Sequence, residues 1–187
     1  MTTNNIPAVL LDYIEGLKTH DIEPIGRTMA EDLQFISATR ILGKAPALKM
    51  LRALYTGFPD WDYKYRGIED RGQGNFAIMW DQGGTHTGTW AMPGMDPIAP
   101  TGRTVRIPPH YFYYRVKDDK LTLIFPEPTP GGAPRGILEQ IGARLPPAPA
   151  MISLRIAARG ITATPTCSTS SPPAMLPNRQ ASSAGTP

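Results

Sequence analysis

The chain has a single cysteine, Cys167, among 187 residues. One thiol excludes an internal disulfide framework and any metal site built on paired cysteines. Long apolar runs are also missing, and no stretch approaches the length of a membrane span. The opening "MTTNNIPAVLLDYIEGLK" lacks a basic leader, and Asp12 and Glu15 interrupt its apolar positions, so it does not read as a signal peptide. A cytoplasmic location is the expectation.

Acidic residues are absent from one part of the chain altogether. All 16 Asp and Glu lie before residue 146, together with 16 of the 19 Lys and Arg. The first 145 residues are therefore neutral, and the net charge of +3 comes from Arg155, Arg159 and Arg179. Three scattered arginines form no phosphate-tracking stripe, which argues against a nucleic-acid partner. Residues 146–187 also lack aromatics and are rich in Pro, Ala, Ser and Thr. Such a segment buries too little apolar area to offset its ordering entropy. The expected organisation is one domain over 1–145 and a mostly disordered tail over 146–187.

Helical periodicity fills the first third. In "NNIPAVLLDYIEGLKTHD", Leu10, Ile14 and Leu17 share a face with Tyr13, behind a cap at Asn5 and Pro7 in the first turn. "DIEPIGRTMAEDL" predicts a short second helix, with Ile25 and Met29 four apart. "QFISATRILG" has strand character broken by a turn. "KAPALKMLRALYTG" carries a stripe of Leu48, Leu51, Leu54 and Tyr55, with Gly57 placed to stop it. Beyond residue 60 the period becomes two. "WDYKYRGIEDR", "GNFAIMWDQGGTHTGTW", "RTVRIPPHYFYYRVK" and "KLTLIF" read as strands separated by turn signals. Helices followed by an antiparallel meander give an α+β fold: a curved sheet closing over the helices as a half-open cone, with its interior as the natural ligand site.

Within "MWDQGGTHTGTW", alternation places Trp80, Gln82, His86 and Trp90 on one face, with Gly84 and Gly88 leaving gaps. His86 reads either as part of a pocket wall or as a core histidine hydrogen-bonded to a neighbouring segment. His110 follows a Pro-Pro pair and shares a face with Phe112 and Tyr114, so it too has a pocket reading and a structural one. Asp62 could face inward, although a solvated strand face is the common outcome. Asp60 reads as a turn former, Arg103 as closing the turn before its strand, His20 as helping to cap the first helix, and Glu127 as a rim carboxylate. No histidine or carboxylate cluster has metal-ligand spacing, and no nucleotide loop or nucleophile elbow is present. No metal and no cofactor are expected.

Four motifs in order, "FPDW" at 58–61, "GTHTG" at 84–88 with the loop "PIAPTGRTV" at 97–105, "PPHYFYYRV" at 108–116 and "DKLTLIFPEP" at 119–128, resemble the SnoaL-like polyketide cyclase family. That family belongs to the nuclear-transport-factor-2-like (cystatin-like) superfamily. The resemblance covers roughly residues 8–143. It implies a cofactor-free aldol cyclase, with a carboxylate on the last strand as general acid and base and a histidine on the preceding strand. The histidine position falls on His110. The acidic position, in the family's K-I-V-E pattern, falls on Leu123, which cannot move a proton. What the resemblance implies here is therefore acid–base chemistry on a small, largely apolar, carbonyl-bearing molecule, carried by His110 and His86. Trp80, Trp90, Tyr13, Gln82, Phe112, Tyr114 and Leu123 would line the cavity. The competing reading is a non-catalytic small-molecule-binding module of the same fold. A homodimer through the outer sheet face is expected, and neither nucleic acid nor membrane as a partner.

Overall fold

The computed structural model describes residues 6–37, 40–92 and 94–143. The expectations for Asn5 and for the 146–187 tail lie outside the described residues. Helix α1 (Ala8–Thr19) is preceded by Pro7, whose extended backbone serves as the N-cap, and buries Leu10, Tyr13, Ile14 and Leu17. It ends where His20 turns left-handed and returns its N–H to the last helical turn. Asp21 then caps α2 (Ile22–Thr28) by accepting from the Glu23 N–H at 3.1 Å. The two helices meet at Gly16, where an added Cβ would stand 2.7 Å from Ile25 Cγ1.

The predicted second helix stops short. Residues 29–36 form strand β1 (Met29–Ile36) instead, because a pairing far along the chain outweighs their helical spacing. β1 runs parallel to β6, with Met29 opposite Leu121 and Phe35 opposite Ile124. β2 (Ile41–Leu42) pairs on its outer edge, and α3 (Lys44–Gly57) follows. Gly57 sits at the predicted helix end for a packing reason: its missing Cβ makes room for Trp90, whose own Cβ would lie 2.7 Å away.

The meander is β3 (Asp62–Gly72), β4 (Asn75–Thr85), β5 (Thr104–Lys117) and β6 (Lys120–Pro126). It completes a six-stranded sheet of order β2-β1-β6-β5-β4-β3. The Asp118–Asp119 hairpin is tight, with both residues at positive φ. A short helix, α4 (Arg135–Ile141), packs on β5. Two bulges flank β4. Opposite Trp80–Gln82 the β5 register slips at Pro108–Pro109, and opposite Ile78–Trp80 the β3 register slips at Arg66–Gly67. Bulges bend strands and increase their twist, so the sheet curves around the helices. The main core lies between the concave face and α1, α3 and α4, and a smaller cluster of Ile36, Leu123 and Phe125 with Tyr113 lies on the convex face.

Candidate functional site

β4 sets the concave surface. Phe76, Ile78, Trp80 and Gln82 point inward, and across the ladder they meet Tyr114, Phe112, His110 and Ile107 of β5. On the other side Gln82 meets Tyr63 of β3 and Trp80 meets Tyr65. The β5 side chains keep this phase because the Pro108–Pro109 bulge absorbs one residue. Val105 and Ile107 face inward before it, and His110, Phe112 and Tyr114 after it. α1 lays Tyr13 edge-on to Tyr114, ring centroids 5.7 Å apart.

His110 is 6% exposed. One ring nitrogen, Nδ1, lies 2.8 Å from the Pro108 carbonyl oxygen. A carbonyl can only accept, so Nδ1 carries the proton and Nε2 of the neutral ring keeps a free lone pair. The ring packs against Phe112 at 5.1 Å and is paired through the backbone with Trp80. Gln82 is 7% exposed beside it on the same face. None of the Asp, Glu, Lys or Arg side chains among the described residues is buried. The polar chemistry of the interior thus rests on imidazole, amide, phenol and indole groups.

His86 is somewhere else. The chain leaves the sheet after Thr85: His86 donates its N–H to Arg103, and its carbonyl accepts from Thr101 and Gly102. Its ring is 0% exposed, stacks on Phe58 at 4.9 Å and places Nδ1 3.1 Å from Thr101 Oγ1. Burial pulls its pKa below the usual histidine value. Six residues of extended chain separate His86 from Trp80, the partner of His110, which puts the two histidines roughly 20 Å apart at about 3.3 Å per residue. They cannot serve one reacting atom. Trp90 joins the His86 cluster, edge-on to Phe58 at 5.4 Å, and lies outside the strand that was expected to reach it.

Leu123 is also displaced from its expected place. A bulge between Arg115 and Val116 shifts the β5–β6 register. Leu121 and Ile124 therefore enter the main core, while Leu123 joins Ile36 and Phe125 on the convex face. The last strand offers no inward carboxylate at any of its positions. Glu127 is exposed and backs onto the Tyr111 backbone. Asp62 pairs with Lys64 on the solvated face. Asp60 reaches farther than a local turn and accepts from the Thr85 N–H at 2.7 Å, a bond that lowers its pKa. Arg103 donates its backbone N–H to Thr101 Oγ1 at 3.4 Å within its own turn, and its guanidinium reaches the Gln140 carbonyl at the C-terminal end of α4. Backbone groups, not the side chain, let His20 cap α1; its ring donates from Nε2 to the Trp61 carbonyl at 2.6 Å and stacks on Tyr55.

Sequence reasoning did not single out Tyr63, and it gave Phe58 and Trp61 of "FPDW" no place in the interior, to which all three contribute along with Tyr55 of the predicted helix stripe. The alternation of "WDYKY" could have found Tyr63, since its charged neighbours Asp62 and Lys64 mark the opposite face. A separate surface groove of about 590 Å³ lies between α1, α2 and the β5–β6 turn, with Asp12, Glu15, Arg27 and Lys120 among its lining. It is charged and outside the concave face. No group of three or more His, Cys, Asp or Glu among the described residues is placed to hold a metal ion, and no helix among them is long and apolar enough to cross a membrane.

Solved structures of this fold include AclR from Streptomyces galilaeus, a candidate hydroxylase. It is 21% identical over 76% of this chain and 83% of that one, with a TM-score of 0.59. A candidate SnoaL-like polyketide cyclase from Jannaschia sp. CCS1 is 14% identical over 78% and 99%, also with a TM-score of 0.59. TerC, crystallised with polyporic acid, is 14% identical over 72% and 96%, with a TM-score of 0.52. At these identities the likeness is one of fold. No curated protein matches the chain. The model of the SnoaL-like domain matches residues 10–124, more than half of the sequence and nearly the whole sheet, and the chain belongs to the SnoaL-like domain family.

Proposed function

We propose that this member of the family is a polyketide-cyclase-type enzyme. It would perform cofactor-free acid–base chemistry on a small, largely apolar carbonyl compound held on the concave face. The observation that carries the reading is the free Nε2 of His110, set by the Nδ1 bond to Pro108, with no buried carboxylate among the described residues. Neutral Nε2 would take a proton from the carbon next to a carbonyl. The resulting enolate carbon forms a bond to a second carbonyl carbon of the same molecule, and the imidazolium returns the proton to the new alkoxide. Reactant and product are isomers, and no external oxidant or reductant is required. Trp80, Phe112, Tyr114 and Tyr13 would supply the aromatic walls, and Gln82 an amide to orient an oxygen. His86 and Trp90 would hold the adjoining loop.

Turnover of a panel of diketones by wild type and by His110→Gln tests this. One general acid–base group is worth about 10²–10⁴-fold, so the variant should fall by that factor while ligand binding persists. Tight binding without turnover by wild type would favour the second reading, a binding module, which the close packing of Trp80 and Tyr114 supports. In either case the stacked Tyr111, Tyr113 and Phe125 on the convex face are our candidate homodimer contact, to be tested by sedimentation equilibrium.

A further inference from the structure

Four phenols from four elements converge in the interior: Tyr13 of α1, Tyr55 of α3, Tyr63 of β3 and Tyr114 of β5. Tyr13 stands edge-on to Tyr114 at 5.7 Å, Tyr63 edge-on to Trp80 at 5.6 Å, and Tyr55 edge-on to Tyr63 at 6.5 Å. Trp80 Nε1 donates to the Tyr114 hydroxyl oxygen at 2.8 Å. An indole N–H can only donate, so this bond occupies a lone pair of Tyr114 and leaves the phenol's own proton to be given elsewhere. The buried Tyr55 hydroxyl has the Tyr63 hydroxyl as a polar neighbour but makes no hydrogen bond of ordinary length among the described residues. The group holds four O–H donors and one N–H donor, and beside the four phenol oxygens themselves no buried carboxylate among the described residues is there to receive them. Burial, reinforced for Tyr13 and Tyr63 by the neighbouring phenols, raises the pKa values of Tyr13, Tyr63 and Tyr114. They stay protonated and neutral. A buried donor without an acceptor is costly, and a donor-rich, uncharged, aromatic-walled site fits a neutral oxygen acceptor.

We propose that the hydroxyls of Tyr13, Tyr63 and Tyr114 form a hydrogen-bond donor set that seats a ketone oxygen of the ligand beside Trp80 on the concave face. This rests on the concave face being the ligand site. Trp80, which donates to the Tyr114 hydroxyl, is paired with His110 across the ladder, and Tyr63 is paired with Gln82. The set holds and orients the ligand's oxygen, and the proton transfer stays with His110.

The test uses the full chain and two probes that differ in one group, 2-acetylnaphthalene carrying a ¹³C carbonyl and 2-ethylnaphthalene. Binding is followed by tryptophan fluorescence, and the carbonyl stretch by infrared difference spectroscopy. Wild type should bind the ketone at least about tenfold more tightly than the hydrocarbon, with the carbonyl band shifted to lower frequency. Tyr63→Phe should lose most of that preference and of the shift. Tyr114→Phe should do the same, and Tyr63→Phe keeps the test decisive if loss of the Trp80 acceptor unfolds the Tyr114 variant. Equal affinity for both probes, an unshifted band, or undiminished preference in Tyr63→Phe overturns the proposal. His110→Gln should keep the ketone preference. A His110→Gln variant with full turnover sinks the catalytic reading alone, whereas tyrosine variants that discriminate normally sink the donor set alone.

Discussion

Acidification should destabilise this protein through His86. The ring is fully buried, stacked on Phe58 and near Trp90, with only Thr101 Oγ1 as a side-chain hydrogen-bond partner. Its Nε2 is buried without a partner among the described residues, and burial lowers the ring's folded-state pKa. The unfolded chain titrates near the ordinary histidine value of about 6.5. Between that value and the folded one, the unfolded state binds a proton that the folded state refuses, so stability rises with pH and falls on acidification. The slope approaches about 1.4 kcal/mol per pH unit for one such group. Going from pH 7.5 to 5.5 should therefore cost stability, at most about 1.4 kcal/mol, the limit in which the folded ring takes up no proton over that range, or at most roughly 5 °C of midpoint for a domain of this size. His86→Phe keeps an aromatic ring against Phe58 and removes the titration. Urea unfolding followed by tryptophan fluorescence at five pH values over that range gives both curves. His20 and His110 are present in both proteins, so the difference in slope isolates His86. Parallel curves would refute the buried, uncharged placement of His86.

Gly57→Ala should destabilise by about 1–3 kcal/mol, because the new Cβ meets Trp90 at 2.7 Å and overpacking costs that much; chemical denaturation reads it. Gln140→Ala removes both bonds by which this side chain clasps the Arg106 backbone, Nε2 to the carbonyl and Oε1 from the N–H, each 2.9 Å. The expected loss is about 1 kcal/mol, with faster hydrogen exchange confined to α4. Asp60→Asn should flatten the acid limb of the stability curve. The lowered Asp60 pKa stabilises the fold above the ordinary carboxylate value of about 3.9, and that stability is lost as pH falls through the folded value.

Local patterns showed most of the fold, and long-range pairing decided the rest. The period-two runs located β3 to β6, and the shared face of His110, Phe112 and Tyr114 was legible because alternation runs unbroken after the Pro-Pro pair; the bulge at that pair was not read. The first part of β1 was hidden because Met29 stands four residues after Ile25, a helical spacing, and its parallel partner lies about ninety residues away at Leu121; only its end, in "QFI", was read as strand. Leu123 misled for a similar reason. "KLTLIF" alternates on paper, but the bulge opposite Arg115 and Val116 moves Leu121 and Leu123 to different faces. His86 lies near Trp90, which alternation put on its face, but its other neighbours, Phe58 and Thr101, come from elsewhere in the chain. Alternation reports direction, and the long-range packing of Phe58, Trp90 and Thr101 around the ring makes that direction a core site.

The central claim, that the free Nε2 of His110 moves a proton to and from carbon on the concave face, is tested most directly by solvent exchange. A ligand ketone bound by the protein is incubated in D₂O, and loss of its α-hydrogen signal is followed by proton NMR with wild type and with His110→Gln. Exchange needs only the first proton transfer and no cyclisation, so it does not depend on finding the natural substrate. The account predicts exchange well above the protein-free rate for wild type and a drop of about 10²–10⁴-fold in the variant, with the affinity for the ketone retained. Exchange by His110→Gln at the wild-type rate would contradict it.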